Sequence, residues 1–121
     1  KTELFNPDGR ANFLDRFGAR VLKPDTLAAD KLRFYREVSP VNYLREDGPN
    51  LLMIQGDKDT TIPVHHAHYM QKQAKSCSAS VDILIVKNAG HNWREVGAPI
   101  EPSREEIIRY TIDYLVTSLH Q

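Results

Sequence analysis

Two short stretches of the 121-residue chain carry residue types that could transfer protons. In the first, an apolar run that begins at Leu51 breaks at Gly56 and is followed by Asp57 and Asp59. In the second, 32 positions beyond Asp59, His91 follows another apolar run. A carboxylate that accepts one ring N–H of a histidine orients the ring and leaves the other nitrogen to act as a base near neutral pH. The pattern predicts an Asp–His pair built from two loops.

Each of these loops follows a run with the length and composition of a buried strand. The runs cover about 51–55 and 81–86, and the first is apolar on both faces, as in a parallel strand covered by helices. Pro63 suits the first position of a helix between them. Strand, helix and strand form one βαβ unit, whose strands end at the edge where open α/β sheets bind ligands. We expect an α/β fold with at least two parallel strands and flanking helices.

The segments G-D-K-D-T-T-I-P at 56–63 and G-H-N-W at 90–93 together resemble the C-terminal part of an α/β-hydrolase. They are similar to the esterase, prolyl-oligopeptidase-like and dienelactone-hydrolase-like branches of that family. In the family, the G-x-x-D turn carries the acid of the catalytic triad and the G-H turn carries its base. The resemblance implies that Asp59 is the acid and His91 the base of a Ser–Asp–His triad. It also implies a small-molecule ester as substrate.

The nucleophile motif of that family, G-x-S-x-G, is absent from the sequence. Because the triad order in this fold is serine, acid, histidine, the serine would precede Asp59. Only Ser39 does so, and it stands before Pro40 without flanking glycines. We therefore expect the C-terminal portion of a larger hydrolase, with its serine upstream. In this interpretation, residues 1–40 are a helical or irregular excursion before the penultimate strand, and residues 41–121 are a βαβα unit of one incomplete domain.

Other roles for the residues of the two loops stay open. Asp57 is a rival acid, although the resemblance favours the position three residues after Gly56. Asp59 could instead bond the backbone of its own turn, and His91 could be an ordinary loop histidine. Trp93 is expected to pack its loop onto the last helix, since tryptophans are buried on average.

Three histidines at the start of the helix predicted between the two strands could suggest a metal site. His65 and His68 share a helix face, with His66 beside them. A zinc site needs three or four ligands, and no cysteine or acid is spaced to complete one. Asp57 and Asp59 lack the further ligands of a calcium loop. We expect a solvated polar face here, with no metal and no cofactor.

Composition narrows the classes of partner. Sixteen basic and sixteen acidic residues give a formal net charge of zero, which does not favour nucleic acid. No apolar stretch approaches the roughly 20 residues of a membrane span. The single cysteine, Cys77, excludes an intrachain disulfide.

Further helices are indicated on both sides of the βαβ unit. A short one is expected at 11–17, and another is expected to open at Pro24 and end by Pro40. The last helix begins with a capping box, Ser103 followed by Glu106 at the third position. Its apolar residues form one stripe with two neighbours beside it: Ile108, Ile112, Leu115 and Leu119, then Ile107 and Val116.

The sequence thus supports a serine ester hydrolase in which this chain alone is inactive. A non-catalytic interaction or regulatory domain derived from the same fold is the main alternative. A small flavodoxin-like binding domain whose acids hold a metal is a third, although the chain offers few strands for it. If the chain is part of a hydrolase sheet, the edge of the strand at 51–55 lacks a partner, so we expect self-association through it.

Overall fold

The computed structural model describes residues 22–23 and 25–120. These residues fall into two compact units that divide after Tyr43. The short helix predicted at 11–17 lies outside the described residues, as does Pro24. The functional argument below concerns the second unit.

The described residues of the first unit form a helix, α1 (Ala28–Glu37), followed by a 3₁₀ turn, η1 (Pro40–Tyr43). The helix ends where the sequence predicts, because a residue that precedes proline is pushed out of the helical region. Its last carbonyls are bonded by the turn: the Asn42 side-chain amide donates to the carbonyl of Arg36 at 2.8 Å.

The second unit is built on two parallel strands, β1 (Leu51–Gly56) and β2 (Val81–Val86), which pair from their first residues to their last. The helix α2 (His65–Ser76) connects them, lies against β2 and buries Ala67 and Ala74. The prediction of an α/β fold with at least two parallel strands is confirmed. The carboxyl ends of both strands lie side by side, so the loops that follow them start as neighbours.

The last helix, α3 (Arg104–Leu119), begins at the predicted N-cap. The Ser103 hydroxyl oxygen accepts the backbone N–H of Glu106 at 3.2 Å, and the hydroxyl donates to the Glu106 carboxylate at 3.0 Å. The helix closes a small core in which Ile107 packs with buried residues at the end of β2. The core consists of Val86, Ala89 and Ile107, with Ile54, Trp93 and Ile100 against it.

Helix α3 turns its large aliphatic residues away from that core. Ile107 is 1% exposed, whereas Ile108 and Leu119 are 58% and 82% exposed. The polar residues Thr111 and Ser118 lie on the less exposed side. The outward face, here called the α3 stripe, consists of Ile108, Ile112, Leu115, Val116 and Leu119. None of the described helices combines the length and apolar character needed to cross a bilayer.

Candidate active site

Asp59 lies in the turn that follows β1, and the turn itself fixes one of its carboxylate oxygens. Oδ1 accepts the backbone N–H groups of Thr61 at 2.8 Å and Ile62 at 2.9 Å. Short acids favour such turns because they can bond the backbone two residues ahead. The side chain is only 5% exposed. The carboxylate is therefore held in one orientation, with its second oxygen turned toward another partner.

His91 lies in the turn after β2, and the backbone there is strained. Asn92 and Trp93, which follow it, both have positive φ values, 58° and 57°. For residues other than glycine this conformation costs roughly 1–2 kcal/mol each. Two contacts stabilise it: Trp93 packs against the core, and the Arg104 guanidinium donates to the Asn92 carbonyl at 3.1 Å. The strained turn presents the His91 ring at the end of the sheet.

The structure brings the two predicted residues together: His91 Nδ1 lies 3.0 Å from Asp59 Oδ2. An ionised carboxylate can only accept hydrogen bonds, so Nδ1 must carry the proton and donate it. The other nitrogen, Nε2, has no hydrogen-bond partner among the described residues. Since the His91 side chain is 50% exposed, a reacting group can approach it. The arrangement is that of a partly exposed imidazole whose orientation is fixed by a buried carboxylate behind it.

Gly56 allows the two turns to approach each other. A β-carbon at this position would stand 2.3 Å from the carbonyl oxygen of Ala89 and 2.7 Å from that of Gly90. Both oxygens belong to the turn that carries His91. Only glycine fits, so the end of β1 contacts the backbone next to the histidine.

Asp57, the rival acid, has a different role. Its Oδ1 accepts the backbone N–H of Ala89 at 3.4 Å, while the N–H of Lys58 donates to the Ala89 carbonyl at 2.8 Å. These bonds tie the turn after β1 to the turn after β2. Among the contacts of the described residues, Asp59 is the acid that meets His91, and Asp57 helps to hold their two turns together.

Gln55 is the site residue that sequence analysis missed. It is the last residue before Gly56 and is buried, 6% exposed. Its side-chain nitrogen donates to Asp59 Oδ2 at 3.1 Å and to the carbonyl of Ile62 at 2.7 Å. The signal in the sequence was a polar residue at the end of an otherwise apolar strand.

A cavity of about 350 Å³ opens beside the pair. Its volume falls within the range of small-ligand sites, about 300–1,000 Å³. The walls combine the Asp–His pair, the end of β1, the strained turn and the first residue of α3. The lining residues are Ile54, Gln55, Gly56, Asp59, Ile62, Gly90, His91, Asn92, Trp93 and Arg104.

The histidines at the start of α2 do not form a metal centre with their neighbours. Within the described part of the chain, no group of three or more His, Cys, Asp or Glu side chains could hold a metal ion. The rings of His65 and His66 stack, with centroids 4.9 Å apart. Burial and the neighbouring His65 lower the pKa of His66, while the charge of Asp59 acts in the opposite direction.

The sequence profile of the prolyl oligopeptidase family matches residues 15–119. The chain belongs to the prolyl oligopeptidase family. The match includes both strands, the three described helices and the two turns, so the predicted resemblance to this branch of the α/β-hydrolases is confirmed. The chain is a hydrolase-fold segment.

This prolyl oligopeptidase family chain is similar to one curated esterase in sequence and to one solved esterase structure in fold. Esterase LipC from Mycobacterium tuberculosis is 32% identical over 85 residues, which are 69% of this chain and 21% of the relative. A butyrate-bound esterase from the planctomycete Thermogutta terrifontis has a similar fold, with a TM-score of 0.57 and 19% identity, over 88% of this chain and 40% of the esterase. The chain thus spans about a fifth of the curated relative and two fifths of the solved structure.

Proposed function

We propose that the chain supplies the acid and the base of a Ser–Asp–His triad in a serine hydrolase of small carboxylic esters. Asp59 is the acid, His91 is the base, and the serine comes from sequence upstream of this chain. The observation that carries the proposal is the 3.0 Å contact between His91 Nδ1 and Asp59 Oδ2 beside an open cavity. Ester substrates are favoured over peptides because the curated relative that the chain matches is described as an esterase.

The chemistry follows from which ring nitrogen of His91 carries the proton that is donated to Asp59. His91 Nε2 takes the proton of the serine hydroxyl as the oxygen attacks the ester carbonyl, and later gives it to the departing alcohol. The ring is positively charged between these two steps. Asp59 stabilises that imidazolium and keeps the proton on Nδ1. The donors that stabilise the oxyanion are assigned, like the serine, to the upstream part.

The test measures hydrolysis of short-chain aryl esters by the protein together with whatever sequence its gene places before Lys1. Asp59→Asn keeps the shape of the side chain but lets the ring adopt the wrong tautomer, and we expect a loss of about 10⁴ in kcat. His91→Ala should lose at least as much. Asp113→Asn and His68→Ala make the same chemical changes at exposed positions and should keep full activity.

Two further measurements define the substrate and the part played by this chain. The 121-residue chain alone should hydrolyse the esters no faster than its His91→Ala variant, because it lacks the nucleophile. A peptide anilide should be a poorer substrate than the ester for the longer protein. Turnover of the longer protein that survives His91→Ala would overturn the proposal and favour a non-catalytic domain.

A further inference from the structure

The side chain of Gln55 lies at the end of β1, where it meets two hydrogen-bond acceptors. Gln55 is buried, at 6% exposed. Its nitrogen faces two acceptors, the Oδ2 of Asp59 and the carbonyl of Ile62. Since neither a carboxylate nor a carbonyl can donate, the orientation of the amide is fixed by its partners.

The Gln55 donor completes the set of bonds on Asp59. Oδ1 accepts two backbone N–H groups, from Thr61 and Ile62, and Oδ2 accepts Gln55 and His91. An ionised carboxylate has about four acceptor positions, so all of them are used. A carboxylate held at four points cannot rotate without breaking at least one bond.

Gln55 also ties the acid turn to the rigid end of the sheet. The amide nitrogen bridges from strand β1 to Ile62, seven residues on, at 2.7 Å, and to Asp59 in between. The turn is thereby closed on the strand rather than held by its own backbone alone. The bridge thus contacts Oδ2, the same oxygen that faces His91.

From this geometry we infer that Gln55 is a positioning residue for the Asp–His pair. It holds Asp59 Oδ2 where the His91 Nδ1–H can donate to it, and so keeps the His91 ring in the Nδ1–H tautomer. The consequence for ester hydrolysis rests on the proposed function, whereas the consequence for the tautomer does not. Gln55 itself touches no reacting atom.

Three substitutions separate this role from simple filling of space. Gln55→Met has nearly the same size without a donor, Gln55→His keeps one ring N–H, and Gln55→Glu has the same shape but turns acceptors toward both partners. Nitrogen-15 NMR of the 121-residue chain gives the ratio of the Nδ1–H to the Nε2–H tautomer of His91. Gln71→Met on α2 is the matched control, and thermal unfolding confirms that each variant is folded at the temperature of measurement.

We expect Gln55→Met to lower the tautomer ratio about tenfold, the factor of one hydrogen bond to a charged group. The tautomer ratio of Gln55→His should lie between those of Gln55→Met and the parent, and Gln55→Glu should have the lowest ratio. If Gln55→Glu does not fold, the inference is tested by the order of the tautomer ratios of Gln55→Met and Gln55→His. A ratio unchanged or raised in Gln55→Met would overturn the inference, since it would mean that Oδ2 binds His91 as well or better without the bridge.

Activity of the longer protein distinguishes this inference from the proposed function. Gln55→Met should lower kcat about tenfold and leave KM unchanged, because the bond matters for the base and not for substrate binding. If the longer protein shows no turnover that depends on His91, but Gln55→Met still lowers the tautomer ratio of His91, only the proposed function is rejected. Normal turnover and a normal tautomer in Gln55→Met would reject the role of Gln55 alone.

Discussion

At the scale of single residues, the two oxygens of the Asp59 carboxylate face different parts of the molecule. Oδ1 bonds the backbone of its own turn, at Thr61 and Ile62, and Oδ2 bonds His91 and Gln55. A turn acid and an acid that orients a histidine were alternatives when only the sequence was considered. One side chain makes both sets of contacts, because the turn bonds hold Oδ1 and leave Oδ2 to face the ring.

Gly56 is the residue at which the smallest change should have the largest effect. In Gly56→Ala, the added methyl would stand 2.3 Å from the Ala89 carbonyl oxygen, so the two turns must separate. We expect the free energy of unfolding to fall by about 1–3 kcal/mol, as for overpacked cores. The His91 tautomer should also move away from Nδ1–H. Denaturant unfolding and nitrogen-15 NMR measure the two effects.

A second glycine serves as the control for this substitution. Gly97→Ala meets no atom within 4 Å but must adopt a φ of 79°, which costs roughly 1–2 kcal/mol. It should lower stability without changing the His91 tautomer. If Gly56→Ala were as stable as the parent and kept the tautomer, the close approach of the turns would not be what positions the pair.

At the scale of secondary structure, the strands and the α3 cap were predictable because their signals are local. The apolar run at 81–86 and the Ser103–Glu106 pair each specify one element without help from the rest of the chain. The orientation of α3 was not predictable in this way, since periodicity marks the α3 stripe as apolar but not what covers it. The strained turn at Asn92 and Trp93 was missed for a related reason: tertiary contacts with Arg104 and the core hold it.

Helix α2 should make the stability of the protein depend on pH through His66. Burial lowers the pKa of His66 below 6.5, so the unfolded chain takes up this proton at a higher pH than the folded chain. The free energy of unfolding therefore falls as the pH drops below about 6.5, and levels off once the pH is below the folded-state pKa. Asp59 moderates the effect because its charge favours the protonated ring.

The variant His66→Asn should remove this part of the pH dependence. Denaturant unfolding of the parent and the variant at several pH values between about 5 and 8 gives the slopes to compare. His68→Asn changes an exposed histidine of the same helix and should keep the slope of the parent. Equal slopes for His66→Asn and the parent would contradict the assignment.

At the scale of the whole molecule, the described sheet is small and open. It has two strands, so the side of β1 that faces away from β2 has no strand partner among the described residues. The α3 stripe adds an exposed aliphatic face to the same unit.

We propose that the 121-residue chain self-associates through the free edge of β1. Free edges present unpaired N–H and C=O groups that template pairing with another chain. Light scattering over a dilution series should show a mass that rises with concentration. Leu51→Lys places a charge on the edge and should weaken the association, whereas Leu27→Lys, at a residue 71% exposed in the first unit, should not. A folded monomer at every concentration would contradict this expectation.

Trp93, two residues beyond His91, is the only tryptophan in the sequence. Its ring packs against the core from within the strained turn and lines the cavity beside the Asp–His pair. Tryptophan fluorescence of this chain therefore comes from this one place. In the 121-residue chain, the fluorescence of Trp93 can be used to follow binding of a ligand or movement of the turn that carries His91. Neither a label nor catalytic turnover is needed.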